Sequence, residues 1–301
     1  MSSFANLKRS SSNLDKLTKA IEQINQSSDS NNKDDNFWKP EVDKAGNGYA
    51  IIRFLPAPSA DGEDSLPWAK LFSHGFQGPG GWYIENSLTT LNQKDPVSEY
   101  NTQLWNTNIK ANQDIARNQK RKLSYISNIY VVEDPKHPEN NGKVFLFKYG
   151  KIIFDKITGA MNPEFEDETP INPFDLWSGA NFKLKIRKVD GYQNYDKCEF
   201  DSPSPLLDDD EELEKIWNSE YSLKELTDPS KFKSYDQLKA RLNKVLGLDG
   251  ASPAPITTAE DVEPSAPTPA PKAKAKPAPV EPEVTEDDDL DYFAKLAEED
   301  N

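Results

Sequence analysis

The order of apolar and polar positions divides the chain into three stretches. Near the start, Leu14, Leu17, Ile21 and Ile24 recur at i, i+3, i+7 and i+10, a helical spacing that begins after Ser12, a good N-cap with Asp15 three residues on. The stripe is narrow and carries no aromatic residue, which suits a partner's surface better than a core; a polar run over 27–36 then acts as a linker. The middle reads mostly as strands punctuated by turns. Residues 49–55 form a β-rich run launched by Gly46-Asn47-Gly48 and stopped by Pro56. Runs 70–76 and 82–85 flank Gly78-Pro79-Gly80-Gly81 as a hairpin, while 123–133 and 143–154 are the strongest strands, joined by the polar turn 134–142. In 181–189, Phe182, Leu184 and Ile186 alternate with Lys183, Lys185 and Arg187, a half-buried strand with a basic outer face. Residues 95–118 are polar and read as helix or loop. Short strands at this spacing predict a small barrel or sandwich. After Pro205 the pattern becomes helical: 208–217 opens on acids, and Ser234 with Gln237 makes a capping box for Tyr235, Leu238, Leu242, Val245 and Leu246, with Gly247 as terminator.

Charge sharpens the division. Residues 37–200 carry 20 Lys/Arg against 21 Asp/Glu and hold 24 of the 31 aromatic residues, whereas 201–301 carry 11 against 25, nearly the whole net charge of −15. Residues 251–282 hold nine prolines, which predicts an extended linker, and 281–301 hold ten acids around Leu290, Phe293 and Leu296. A neutral, aromatic-rich centre with an acidic tail reads as a folded module carrying an interaction arm. No stretch approaches the about 18 apolar residues of a membrane span, and the N-terminus has no signal-peptide run. A lone Cys198 excludes an intramolecular disulfide and a cysteine zinc cage. These absences predict a cytosolic protein.

Enzyme motifs are thin. There is no GxxxxGK[ST], no GxGxxG after a strand and no HExxH; Gly78–Gly81 lacks the helix start and lysine of a phosphate loop. His137 lies in an exposed turn, His74 reads as structural, and Cys198 as a small buried residue. The stronger signal is cations interleaved with rings: Arg117, Lys120, Arg121 and Lys122 run into Ser124 and Tyr125; Lys148 and Lys151 mix with Phe147, Tyr149 and Phe154; Lys185, Arg187 and Lys188 precede Tyr192 and Tyr195. A single-strand binder needs cations for phosphates and flat rings for unstacked bases. Each ring taken singly is more often core than platform; it is the three basic–aromatic clusters together that raise the binding reading.

The segments Trp38-Lys39, Asp43-Lys44-Ala45-Gly46-Asn47-Gly48, Ile52-Arg53-Phe54-Leu55-Pro56, His74-Gly75-Phe76, Trp82-Tyr83-Ile84-Glu85, Glu139–Phe145, Gly179-Ala180-Asn181-Phe182 and Gly191–Asp196, in that order, resemble the single-stranded DNA-binding (helix-destabilising) proteins of T-even-like tailed bacteriophages. The resemblance implies an OB-fold core (a five-stranded Greek-key barrel) with a small subdomain, mainly β with helical additions. It also implies a helical N-terminal arm that binds the neighbouring protomer head-to-tail along DNA, and a disordered acidic C-terminal arm that recruits replication and recombination proteins. The basic-plus-Ser/Thr motif of the family falls on Lys8-Arg9-Ser10-Ser11 and on Lys120-Arg121-Lys122-Leu123-Ser124, where the leucine departs from the pattern. Its DNA-contacting rings fall on Tyr83, Tyr100, Tyr125, Phe147, Tyr192 and Tyr195, with Trp105 where tyrosine is usual. Members carry a structural zinc on the histidine of the HGF motif and three cysteines. Here His74 remains, but the cysteine positions read Ser87, Asp95 and Ser98, so no cofactor is expected and the subdomain is predicted to pack on Trp82, Ile84, Leu88 and Leu91.

The expectation is a non-catalytic, cooperative, largely sequence-independent single-strand binder for phage replication, recombination and repair in the cytoplasm of the infected host. Its parts are a self-association arm and linker (1–36), a core (37–250; OB-type 37–200, helical extension 205–247) and a Pro-rich acidic tail (251–301). Phosphate contacts are assigned to Arg53, Arg117, Lys120, Arg121, Lys122, Lys148 and Lys151, and self-association to Lys8, Arg9, Ser10, Ser11, Leu14 and Leu17. Partner binding is assigned to Asp287, Asp288, Asp289, Leu290, Phe293 and Leu296. The rival reading is an acidic scaffold protein whose core aromatics are structural and which binds no DNA.

Overall fold

The computed structural model describes residues 36–248 apart from Glu63, Glu166 and Asp190. The expected N-terminal helix and the Pro-rich acidic tail lie outside the described residues. The chain divides after Lys39, and the described part of the first unit holds the short strand β1 (Phe37–Trp38).

The second unit is mainly antiparallel β. Its strands are β2 (Gly48–Phe54), β3 (Ala69–Gly78), β4 (Gly81–Asn86), β5 (Lys122–Glu133), β6 (Val144–Tyr149), β7 (Phe182–Val189), β8 (Tyr192–Asn194) and β9 (Glu199–Phe200). Five helices accompany them among the described residues: α1 (Pro96–Asn106), α2 (Lys110–Gln119), α3 (Lys151–Met161), α4 (Asp210–Asn218) and α5 (Tyr235–Leu246). The strands run in the order β6-β5-β2-β7-β8, with β3 beside β5, β4 beside β3 and β9 beside β7. Strand β5 organises the sheet. Its first half pairs with β3, from Ser73 opposite Lys122 to Ala69 opposite Ile126, and its second half pairs with β2, from Phe54 opposite Ile129 to Ile51 opposite Glu133. Strand β6 pairs with it from Tyr125–Tyr149 to Tyr130–Val144. A strand that takes two partners in succession twists and curls the sheet around it, and the register slip between Ile51 and Ile52 adds to the bend.

Two apolar centres result. In one, Phe54 sits 5.6 Å edge-on from Tyr149, 5.6 Å from Phe182 and 5.9 Å from Phe174. In the other, Phe76 and Tyr83 of the β3–β4 hairpin pack with Leu88, Val97 of α1 and Leu238, Leu242 and Val245 of α5. The helix read from the Ser234–Gln237 capping box is thus part of the subdomain core, and both box hydrogen bonds form. Its C-terminus rests on the hairpin turn, where the Gly80 amide donates to the Val245 carbonyl at 2.8 Å. A Cβ on Gly80 would meet the Lys244 carbonyl at 2.1 Å, so the glycines of this turn serve helix docking rather than phosphate.

Two expectations are corrected here. The strand expected over 143–154 ends at Tyr149; Gly150 opens α3, because Ile153 and Ile157, four apart, supply a buried helical stripe. Trp82 and Ile84 do not pack the subdomain, since β4 turns Tyr83 inward and leaves its two neighbours 46% and 65% exposed. Cys198 is buried, as expected of a small apolar residue. No helix among the described residues is long and apolar enough to cross a membrane.

Past α4, Asp61 ties down the following loop by accepting the hydroxyl of Ser222 and the amides of Leu223 and Lys224. Beside it the carboxyl oxygens of the half-buried Glu220 are shielded from solvent, with no hydrogen-bond partner for either among the described residues, and burial together with the Asp61 charge pushes the carboxyl up to about 9. A carboxyl raised in the folded state stabilises fully below its unfolded pKa, and that stability is lost as pH rises through the folded value. Stability should therefore fall as pH rises from about 4.5 towards 9. Glu220→Gln should raise the melting temperature at pH 8.5 and change it little at pH 5.5; equal effects at both would assign Glu220 no such part.

Candidate nucleic-acid interface

Helix α2 passes into β5 almost without a loop. Its C-cap, Lys120, turns to extended backbone (φ −58°, ψ 150°), and the strand starts at Lys122. This abrupt passage gathers Arg117, Lys120, Arg121 and Lys122 within a helical turn and a strand start. Two of these cations lie on rings. The Arg117 guanidinium stands 5.0 Å from the ring centre of Trp105, a half-buried residue of α1, and also donates to Asp114. That of Arg121 stands 4.2 Å from the ring centre of Phe72 on β3, and the Lys70 ammonium lies 5.0 Å from the same ring. Lys122 is exposed opposite Ser73; Lys148 is exposed on β6; Lys151 opens α3 and pairs with Asp155 at 2.8 Å.

Several expected contacts fall in the interior. Arg53 is fully buried: its Nε donates to Asn181 Oδ1 at 3.1 Å and its Nη2 to the Ser204 carbonyl at 2.6 Å. Burial draws the guanidinium down to about 10, and Asp175 counters part of that, so it stays charged at neutral pH. Gly179 lets the covering segment close over it, since a Cβ there would meet Arg53 Nη1 at 2.6 Å. Arg53 is a structural ion and not a phosphate contact. Tyr83 is fully buried, stacked on Phe76 with centres 5.0 Å apart, and burial raises its hydroxyl pKa. Phe147, Tyr149 and Tyr125 form a buried column that ends with Phe154 of α3 lying 3.8 Å from Tyr125 at an interplanar angle of 3°. The face Tyr125 would offer a base is thus already covered by a ring of this chain. Tyr100 packs against the subdomain core, while Tyr192 and Tyr195 are part-exposed at and just beyond β8, three strands along from β5. The basic outer face of β7 is neutralised: Lys183 pairs with Asp201, Lys185 with Glu199 and Arg187 with Asp196.

His74 and Asp95 join these parts. The His74 Nδ1 donates to the Gln119 carbonyl at 2.9 Å, immediately before the cationic run, and its Nε2 stands 3.3 Å from Asp95 Oδ1, outside good hydrogen-bond alignment. Asp95 caps α1 by accepting the amides of Val97 at 3.0 Å and Ser98 at 3.1 Å on Oδ1, and accepts the Leu88 amide at 3.1 Å on Oδ2. Burial opposes its ionisation, but His74 and the Ser98 and Leu88 amides outweigh that and hold its pKa below the usual carboxylate value. Ser87 Oγ is engaged with Thr89. A carboxylate saturated by amides, two hydroxyls and one imidazole do not fit zinc, and no group of three or more metal-ligating side chains occurs among the described residues.

Lys70 and Phe72 escaped the sequence reading. Their signal was the cross-strand register, which sets Phe72 opposite Leu123, the apolar departure within the basic motif. Among known proteins, the family described as "gp32 DNA binding protein like" matches residues 46–246. The single-stranded DNA-binding protein of Enterobacteria phage T2 is 40% identical over 233 residues, covering 75% of each chain. That of Enterobacteria phage T4 is 37% identical over 254 residues, covering 82% of each. With a continuous match across the sheet, both apolar centres and the α2–β5 junction, this chain belongs to the gp32-like family of DNA-binding proteins.

Proposed function

We propose that this protein binds single-stranded DNA without cleaving or modifying it, with little sequence preference, and coats phage strands during replication, recombination and repair in the host cytoplasm. The observation that carries the reading is the α2–β5 junction. There Arg117, Lys120, Arg121 and Lys122 stand together beside Trp105 and Phe72, in a chain whose relatives are named for single-strand binding. In this reading β2, β3, β5, β6 and β7 make a five-stranded OB-type Greek-key barrel, a proposal supported by the successive pairing of β5 with β3 and β2. The core is residues 37–250, and the zinc position of the family is served by the hydrogen-bonded Asp95, leaving the protein metal-free.

Titration with oligo(dT) at several salt concentrations tests the reading. Changing Lys120, Arg121 or Lys122 to Ala should each weaken binding and reduce the log–log salt slope by about 0.7, the single-strand value per phosphate. Unchanged slope and affinity for all three would leave the junction a solvated surface and favour the scaffold reading.

The arms complete the proposal. Residues 1–36 bind the next protomer through Lys8, Arg9, Ser10, Ser11, Leu14 and Leu17, and residues 251–301, net −9, recruit replication and recombination proteins through Asp287–Asp289, Leu290, Phe293 and Leu296 while competing with DNA for cations. Deleting 1–25 should spare affinity for a one-site oligonucleotide and sharply lower it for long strands. Deleting 251–301 should strengthen binding at low salt only. The opposite pattern in either would dismiss that arm's part.

A further inference from the structure

On the surface beside the cationic run, the ring of Phe72 is occupied by cations rather than by other rings. Its backbone is held from both sides: its amide donates to Thr90 Oγ1 at 2.9 Å, and its carbonyl accepts the Ser87 amide at 2.9 Å. Across the ladder it faces Leu123, and two residues back Lys70 faces Tyr125. The part-buried ring is therefore a fixed plate, carrying the Arg121 guanidinium at 4.2 Å and the Lys70 ammonium at 5.0 Å. Trp105 carries Arg117, four residues before Arg121, at 5.0 Å, and there the guanidinium also donates to Asp114.

We propose that Phe72 is a positioning residue for single-strand binding, which holds Arg121 and Lys70 ready for a nucleotide, and that Trp105 does the same for Arg117. In this arrangement the guanidinium, and not the ring beneath it, is the surface the strand meets. A free arginine side chain loses about 2 kcal/mol of rotamer entropy when it is fixed on a ligand; one already lying on a ring has given up much of that before DNA arrives. A guanidinium lying on a ring can meet a nucleotide with an N–H edge toward a phosphate and its outer plane toward a base, the two groups a nucleotide presents together. The apolar Leu123 within an otherwise basic motif is accounted for as the cross-strand support of the plate. The proposal rests on the single-strand-binding reading and gives Phe72 and Trp105 the holding of cations in place of direct contact with bases.

The test uses the full chain and a (dT) oligonucleotide of one-site length. Phe72→Leu keeps apolar bulk over Leu123 but removes the π face; it should weaken binding about twofold to fivefold, a part of the roughly 2 kcal/mol of arginine ordering that then falls on the binding step, while the chain still melts as a folded protein. Phe72→Trp should restore affinity. In an Arg121→Ala background, Phe72→Leu should cost much less than it does alone, because its principal passenger is gone. Wild-type affinity for Phe72→Leu, an equal loss in both backgrounds, or a loss that Phe72→Trp leaves in place would overturn the proposal. A wild-type chain that fails to bind the oligonucleotide at low salt would instead overturn the single-strand reading beneath it.

Discussion

Replacing Arg53 by alanine should destabilise the core by about 3–5 kcal/mol, the cost of the cavity left by a large, fully buried side chain together with its lost hydrogen bonds. The change strands the Asn181 side chain and the Ser204 carbonyl, leaves Asp175 without its countercharge and opens a cavity between β2 and the segment over it. Arg53→Lys, which keeps the charge but not the planar fork, should fall between the two. Equilibrium urea unfolding reads both. A midpoint within error of the wild type for Arg53→Ala, with weakened DNA binding, would return this arginine to the phosphate contacts.

Asp95→Ala should cost about 2–4 kcal/mol, since it removes a helix cap and leaves three buried amides without their acceptor. The effect should reach DNA as well. Asp95 fixes the start of α1, which carries Trp105, and stands against His74, which holds the carbonyl just before Lys120. Binding to (dT) should weaken together with stability. Because hydrogen bonds are proposed to serve the zinc position, wild-type melting should be indifferent to strong chelators, and elemental analysis should find well under one zinc per chain. Stoichiometric zinc, or an Asp95→Ala chain that melts with the wild type, would defeat that account.

Much of the fold was legible because its signals are local. β-rich runs bounded by turn residues located β2 and β5, and period-two alternation located β7, each to within a residue, and the Ser234–Gln237 box with Gly247 bounded α5. Where the local signal was ambiguous the reading failed: 150–154 is apolar enough to extend a strand, and only the spacing of Ile153 and Ile157 under the sheet makes it α3. The densest part of the candidate site, Arg117 to Lys122, was equally legible, since contiguous residues stay together whatever the fold.

The sequence by itself thus determined the strands, the caps, the cationic run and the partition of charge between centre and tail. Whether a given ring or cation meets solvent was decided by tertiary structure alone. Alternation says which residues share a face of a strand, but not what another element lays over that face. Phe154, brought back by the turn at Gly150, covers Tyr125, and the segment closed by Gly179 buries Arg53. Conversely, Phe72 comes under Arg121 across about fifty residues of chain, a neighbourhood set by strand register and not by spacing.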